Sequence, residues 1–187
     1  MHRSNSRGLL RAAAAITALL SALALNLLTA GPSQARAESE WGVMLTNYST
    51  GKCLDTHDTG IPNLGTIVEQ FNCNPTLNQK WDLVDGQLGF VIKNSRNPSL
   101  CLDLPDTGAT GPSRVGFYYC NDTVVDNQLW YKVWSGDWFQ IVNLKSAQAG
   151  RRMCLDVAGW ADPSNGALIG VYDCHDSTAD DHWWRVL

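Results

Sequence analysis

The tripeptide Cys-Leu-Asp occurs three times, at Cys53-Leu54-Asp55, Cys101-Leu102-Asp103 and Cys154-Leu155-Asp156. Each is followed 19 or 20 residues later by a second cysteine: Cys73, Cys120 and Cys174. Six to eight residues further on come a polar residue, one variable position and a tryptophan. The three versions are Gln79-Lys80-Trp81, Gln128-Leu129-Trp130 and His182-Trp183-Trp184. Three features recurring together at a period of about 50 residues mean one structural unit used three times.

Each copy reads as short apolar or alternating runs separated by Gly, Pro, Asn and Asp clusters, the pattern of strands and turns. The first copy offers WGVMLTN, KCLDT, TIVEQFN and KWDLV, the second LGFVIKN, LCLDL, RVGFYYC and LWYKVW, and the third WFQIVNL, MCLDV, ALIGVYD and HWWRVL. Four strands per copy predict twelve in all, over repeats at about residues 43–84, 85–134 and 135–187. No run of ten or more residues after Leu28 has helical periodicity, so the chain reads as all-β. Three four-stranded units suit a β-trefoil, a barrel capped by three hairpins. A three-bladed propeller would close poorly, since propellers typically have at least four blades.

Residues 1–37 stand apart. His2, Arg3, Arg7 and Arg11 give a basic start, and residues 12–28 are apolar except for Thr17, Ser21 and Asn26. Gly31-Pro32 and the small-residue pattern Ala35-Arg36-Ala37 follow. This layout predicts a secretory signal peptide over residues 1–37 and a mature, secreted chain from Glu38. The competing reading is a transmembrane anchor, for which the run is about the minimum length of roughly 17 residues. The helix breakers and the cleavage pattern favour the signal peptide.

Setting that segment and its four arginines aside leaves ten basic residues against eighteen acidic ones, a net charge near −8. Such a surface disfavours nucleic acid and anionic membranes, and no later segment is apolar enough for membrane insertion. A neutral ligand fits better. All six cysteines fall after residue 37, and an even count in a secreted chain predicts disulfides. Six cysteines allow 15 pairings, so spacing leaves the connectivity open. A metal site would need Cys174 with His175, and without any C-x-x-C the expectation is no metal and no cofactor.

Three repeats, each with Cys-Leu-Asp, a later cysteine and a Gln-x-Trp, resemble the ricin B-chain-type β-trefoil lectins. That family includes xylan- and galactose-binding modules attached to secreted glycosidases. The resemblance covers about residues 43–187. It implies disulfides within each repeat, Cys53–Cys73, Cys101–Cys120 and Cys154–Cys174, and a core role for Trp81, Trp130 and Trp184. Each bridge would close a loop of about 20 residues, worth on the order of 3 kcal/mol.

Residues two apart on a strand face the same side, so each aspartate projects with its cysteine. Aspartate also caps turns, but capping does not explain a threefold recurrence. A carboxylate can accept hydrogen bonds from two adjacent sugar hydroxyls. The resemblance makes Phe71, Tyr118 and Tyr172, two residues before each second cysteine, the platforms on which a sugar ring stacks. It gives Asn78, Asn127 and Asp181 the role of hydroxyl contacts, and Gln79, Gln128 and His182 that of orienting the aspartate. The first set is therefore Asp55, Phe71, Asn78 and Gln79, with Glu69 where family sites often carry glutamine. The second is Asp103, Tyr118, Asn127 and Gln128, with Gly116 at that position. The third is Asp156, Tyr172, Asp181 and His182, with Gly170. An ionised Asp181 accepts but cannot donate, which ranks the third set last and the second first. Trp160, in the loop AGWADPSNG, reads either as a further stacking surface or as core. Trp134 and Trp138 flank Gly136 and read as exposed. Asn47-Tyr48-Ser49 and Asn121-Asp122-Thr123 fit glycosylation sequons.

Catalysis is disfavoured. A glycosidase needs two carboxylates at a set separation, whereas these aspartates sit one per repeat. Only His57, His175 and His182 follow residue 37, and no G-x-S-x-G occurs. The sequence leads from signal segment to trefoil with no room for an enzyme domain. Two non-enzymatic readings follow. One is a secreted lectin with up to three shallow sites for galactosides, xylan or related polysaccharide. The other is a β-trefoil protein-interaction module, such as a protease inhibitor, or an accessory subunit held to an enzyme or toxin without covalent linkage. The repeated aspartate–aromatic–amide set favours the lectin.

Overall fold

The computed structural model describes residues 38–57, 61–105, 111–121 and 127–187. The segment read as a signal peptide lies outside them.

Fourteen strands are present among the described residues. The first repeat holds β1 (Glu40–Val43), β2 (Leu45–Asn47), β3 (Cys53–Thr56), β4 (Val68–Phe71) and β5 (Trp81–Asp85). The second holds β6 (Phe90–Asn94), β7 (Asn97–Asp103), β8 (Ser113–Arg114), β9 (Gly116–Tyr119) and β10 (Trp130–Ser135). The third holds β11 (Trp138–Asn143), β12 (Met153–Val157), β13 (Ile169–Asp173) and β14 (Trp183–Val186), with one short helix, α1 (Leu144–Gln148).

Two expected strands are broken, and each break has a cause. WGVMLTN divides at Met44 because its halves serve different partners: β1 pairs with β5 and β2 with β14. Gly42 marks a register shift in β1 at a φ of 61°, and its amide is fastened to Asp82 Oδ1 at 2.8 Å. RVGFYYC divides at Val115, since β8 pairs with β13 while β9 pairs with β7.

The pairing order β1-β5-β6-β10-β11-β14-β2 returns to its start, because β1 and β2 are consecutive in the chain. Among the described residues this closes a six-position antiparallel barrel. The hairpins β3–β4, β7–β9 and β12–β13 form the cap. The architecture is all-β, a β-trefoil with three lobes.

Trp81, Trp130 and Trp184 are wholly buried, as the repeat pattern predicts, with Leu54, Leu102 and Leu155 packed in the same core. Each indole N–H donates to the carbonyl of the leucine inside its own Cys-Leu-Asp: Trp81 to Leu54 at 2.9 Å, Trp130 to Leu102 at 3.4 Å, Trp184 to Leu155 at 3.0 Å. The bond locks barrel to cap and satisfies a buried donor. The disulfides are those the resemblance implies, Cys53–Cys73, Cys101–Cys120 and Cys154–Cys174, with Cα separations of 5.0, 4.9 and 5.0 Å. Among the described residues no helix is long and apolar enough to cross a membrane.

Candidate functional site

Each cap hairpin places an aspartate and an aromatic on one face. In lobe one Asp55 lies opposite Glu69 and Cys53 opposite Phe71, so Asp55 and Phe71 are diagonal neighbours. Lobe two repeats this with Asp103 opposite Gly116 and Cys101 opposite Tyr118. Lobe three does so with Asp156 opposite Gly170 and Cys154 opposite Tyr172. The aspartates are buried or half-buried, whereas Phe71, Tyr118 and Tyr172 are exposed. A deep carboxylate beside an open ring presents acceptors and an apolar face together.

The amides before each core tryptophan hold the carboxylates. Gln79 Nε2 donates to Asp55 Oδ2 at 2.6 Å and to the Asn72 carbonyl at 3.0 Å, while its Oε1 accepts from the Asn74 amide at 2.8 Å. Gln128 repeats all three contacts, to Asp103 Oδ2, to the Tyr119 carbonyl at 3.0 Å and from the Asn121 amide at 2.8 Å. Both glutamines are fully buried, so they position the aspartates. Asn78 Nδ2 reaches Asp55 Oδ1 at 2.6 Å, and Asn127 Nδ2 reaches the Leu104 carbonyl at 2.5 Å. Burial, the largest influence, raises the Asp55 carboxyl above the ordinary range against the lowering hydrogen bonds from Gln79 and Asn78.

A model of the family described as ricin-type beta-trefoil lectin domain-like matches residues 34–118 and 78–172. The chain belongs to that family. It is similar to Abrin-a of Abrus precatorius, 23% identical over 129 residues, which are 62% of this chain and 22% of Abrin-a. Among solved structures, the designed threefold-symmetric protein ThreeFoil superposes with a TM-score of 0.67 at 26% identity, covering 78% of this chain and 96% of that one. The Macrolepiota procera ricin B-like lectin, solved in complex with lactose, superposes with a TM-score of 0.61 at 14% identity, covering 80% and 94%.

The third lobe of this ricin-type domain departs most from the other two. His182 replaces glutamine, and its Nδ1 lies 2.7 Å from Asp156 Oδ2, where the glutamines of the other lobes touch their aspartates. Burial holds the imidazole below its usual pKa, toward the neutral form. Asp181 replaces asparagine, and its surroundings bear on whether it is ionised. Burial first, then the adjoining Asp156 carboxyl, raises it far above the carboxylate range. The shift favours the protonated form, the one form of this carboxyl that can donate. Its Oδ2 also accepts from the Ala161 amide at 2.5 Å.

That last contact fastens the turn carrying Trp160. Trp160 and Ala161 have φ values of 55° and 56°, a strained pair for residues with side chains. The turn leaves the Trp160 ring 93% exposed, which rules out core packing. Trp160, Tyr172, Asp156 and Asp181 line one pocket of about 210 Å³. A larger pocket, about 500 Å³, lies in lobe two between Asp103, Tyr118, Asn127 and Gly65 of the neighbouring lobe. In lobe one, Glu69 Oε2 is 2.8 Å from His57 Nδ1.

Trp134 is exposed as expected, whereas Trp138 is half-buried under the edge of Tyr48. The Asn47 sequon is corrected. Asn47 is fully buried, its amide donates to the Asp181 carbonyl at 2.6 Å, and no glycan can reach it. In the second sequon, Asn121 is exposed and positions 122 and 123 lie outside the described residues.

Asn47 belongs to a set that motif reading missed. Asn94 donates to the Asn78 carbonyl at 3.3 Å and Asn143 to the Asn127 carbonyl at 2.7 Å. Each barrel asparagine thus holds the backbone of the polar residue that precedes the orienting one. The signal is present as VMLTN, FVIKN and FQIVN, where the same residue ends three equivalent strands.

Proposed function

We propose that the protein is a secreted, non-enzymatic lectin with up to three shallow sites for galactose-type glycans or xylan-like polysaccharide. The observation that carries this reading is the buried amide–aspartate contact of Gln79 and Gln128, repeated with His182, each beside an exposed ring. Nothing in barrel packing calls for a carboxylate fixed three times next to an aromatic. A sugar calls for both, since its hydroxyls need acceptors and its C–H face needs a ring. The lactose-bound Macrolepiota lectin supports a galactoside, and the basic, apolar leader at residues 1–37 supports secretion. Three weak sites on one body would gain avidity on a polysaccharide or cell surface.

The test is binding to a panel of soluble and immobilised glycans by the disulfide-bonded protein. Asp55→Ala, Asp103→Ala and Asp156→Ala are compared singly and together. Each removes a charged acceptor whose hydrogen bonds are worth about 1.5–3 kcal/mol, so a lobe should lose tenfold or more in affinity. Binding to a galactoside or xylan should weaken stepwise and vanish in the triple variant. A folded protein that binds no glycan, or a triple variant that binds like the wild type, sinks the reading.

A further inference from the structure

Lobe three contains a group of side chains that the other two lobes lack, built on the face of His182 turned away from Asp156. His175, Asp180 and His182 each offer one ligand atom, and the three atoms lie within 4.8 Å of one another. His182 Nε2 is 3.1 Å from Asp180 Oδ2, and the two imidazole rings are 5.8 Å apart with planes tilted by 31°. The His182 side chain is only 1% exposed, yet neither ring nitrogen has an aligned hydrogen-bond partner. Nδ1 stands against Asp156, and a buried Nε2 in that state calls for a ligand.

We propose that this cluster binds a divalent transition-metal ion of the zinc or nickel type. His182 Nε2, one Asp180 oxygen and a His175 ring nitrogen are the protein ligands. Two imidazoles and a carboxylate suit such ions. Ligand atoms around a tetrahedral ion with bonds of about 2.0–2.2 Å lie about 3.3 Å apart, close to the His182–Asp180 spacing. His175 is exposed and can turn inward to complete the set. Its backbone is fixed, since Cys174 is bridged to Cys154 and the His175 carbonyl accepts from Gln140 Nε2 at 2.6 Å. That bridge also removes Cys174 as a ligand.

The outer contacts fit as well. Asp156 Oδ2, 2.7 Å from His182 Nδ1, supplies the carboxylate that commonly holds a metal-bound imidazole from behind. Asp156, Asp180, Asp181 and His182 form a second, oxygen-rich grouping that would favour a harder ion. Asp181 is already committed to the Ala161 amide, which leaves the histidine set the better one. His175, Asp180 and His182 line the same pocket as Trp160 and Tyr172. The site shares His182 with the proposed third sugar site, but its test reads metal binding alone, so failure of one reading is distinguishable from failure of the other.

The test is calorimetric titration of the full, disulfide-bonded protein, carrying no polyhistidine tag, with zinc, nickel and calcium chlorides. The wild type should bind zinc or nickel at one ion per chain. His182→Gln, which restores the residue found in the other two lobes and so preserves the fold, should abolish binding. His175→Ala should weaken it at least tenfold. No stoichiometric binding of zinc or nickel, or binding unchanged in His182→Gln, overturns the proposal. Calcium bound alone, with both histidine variants indifferent, overturns it in favour of the oxygen set.

Discussion

At the scale of single residues, the polar groups decide the site. Asn47, Asn94 and Asn143 hold the backbone on which each orienting residue sits. Replacing Asn143 by alanine removes the side-chain donor to the buried Asn127 carbonyl and should cost about 1–3 kcal/mol, whereas Asn94→Ala should cost less, because the Thr56 hydroxyl also donates to the Asn78 carbonyl. Denaturant melts would measure this, and a change under a few tenths for Asn143→Ala would contradict it. Asp55 gives a second expectation. Its folded-state pKa is raised, chiefly by burial, so on acidification it takes up a proton before an exposed aspartate would. On the proposed lectin reading, affinity at lobe one should therefore fall at a pH above the ordinary aspartate range. The sign for stability is opposite. A raised carboxyl binds more protons folded than unfolded through that window, so Asp55's contribution to stability grows as pH falls and shrinks as pH rises. The Asp103→Ala/Asp156→Ala double variant isolates lobe one for a titration of affinity against pH. Loss of affinity at or below the ordinary range would refute the point. Comparing melting temperatures with and without Asp55→Ala across that window tests the stability sign.

At the scale of elements, two glycines at one repeat position serve different ends. Gly170 in β13 faces β8, and a Cβ built there would lie 2.6 Å from the Ser113 carbonyl oxygen. Gly116 in β9 has nothing within 4 Å of the same point. Gly170→Ala should cost about 1–3 kcal/mol through forced backbone movement, whereas Gly116→Ala or Gly116→Gln should be neutral or slightly stabilising. Thermal melts of the pair decide it, and equal effects would be wrong. Both glycines read alike in the sequence, as places where a glutamine is missing. Strand existence was legible from alternation and turn clusters, and the disulfides from the resemblance. The breaks at Met44 and Val115 were not, because each reflects a change of partner strand. Helix α1 escaped because five residues are too few for periodicity, and it depends on Asn143 accepting from the Ser146 amide at 3.0 Å. Trp160's exposure depends on a left-handed turn and a distant carboxyl, neither of which local sequence encodes.

At the scale of the whole molecule, the barrel repeats one cross-strand pair three times. Trp81 faces Asn94 and Trp130 faces Asn143, each within a hairpin joined by a turn. Trp184 faces Asn47 in the same way, with Val186 opposite Leu45 and the Leu187 amide donating to the Met44 carbonyl at 2.9 Å. The third hairpin thus has paired arms and no connecting turn. To the barrel, the seam is interchangeable with the other two joints. A circular permutant that opens the chain in the β10–β11 turn at Gly136 and links Leu187 to Ser39 by a short flexible tether should therefore fold with the same three disulfides. Its unfolding midpoint and disulfide map would establish whether the order of the lobes along the chain matters to this fold, or only their cycle.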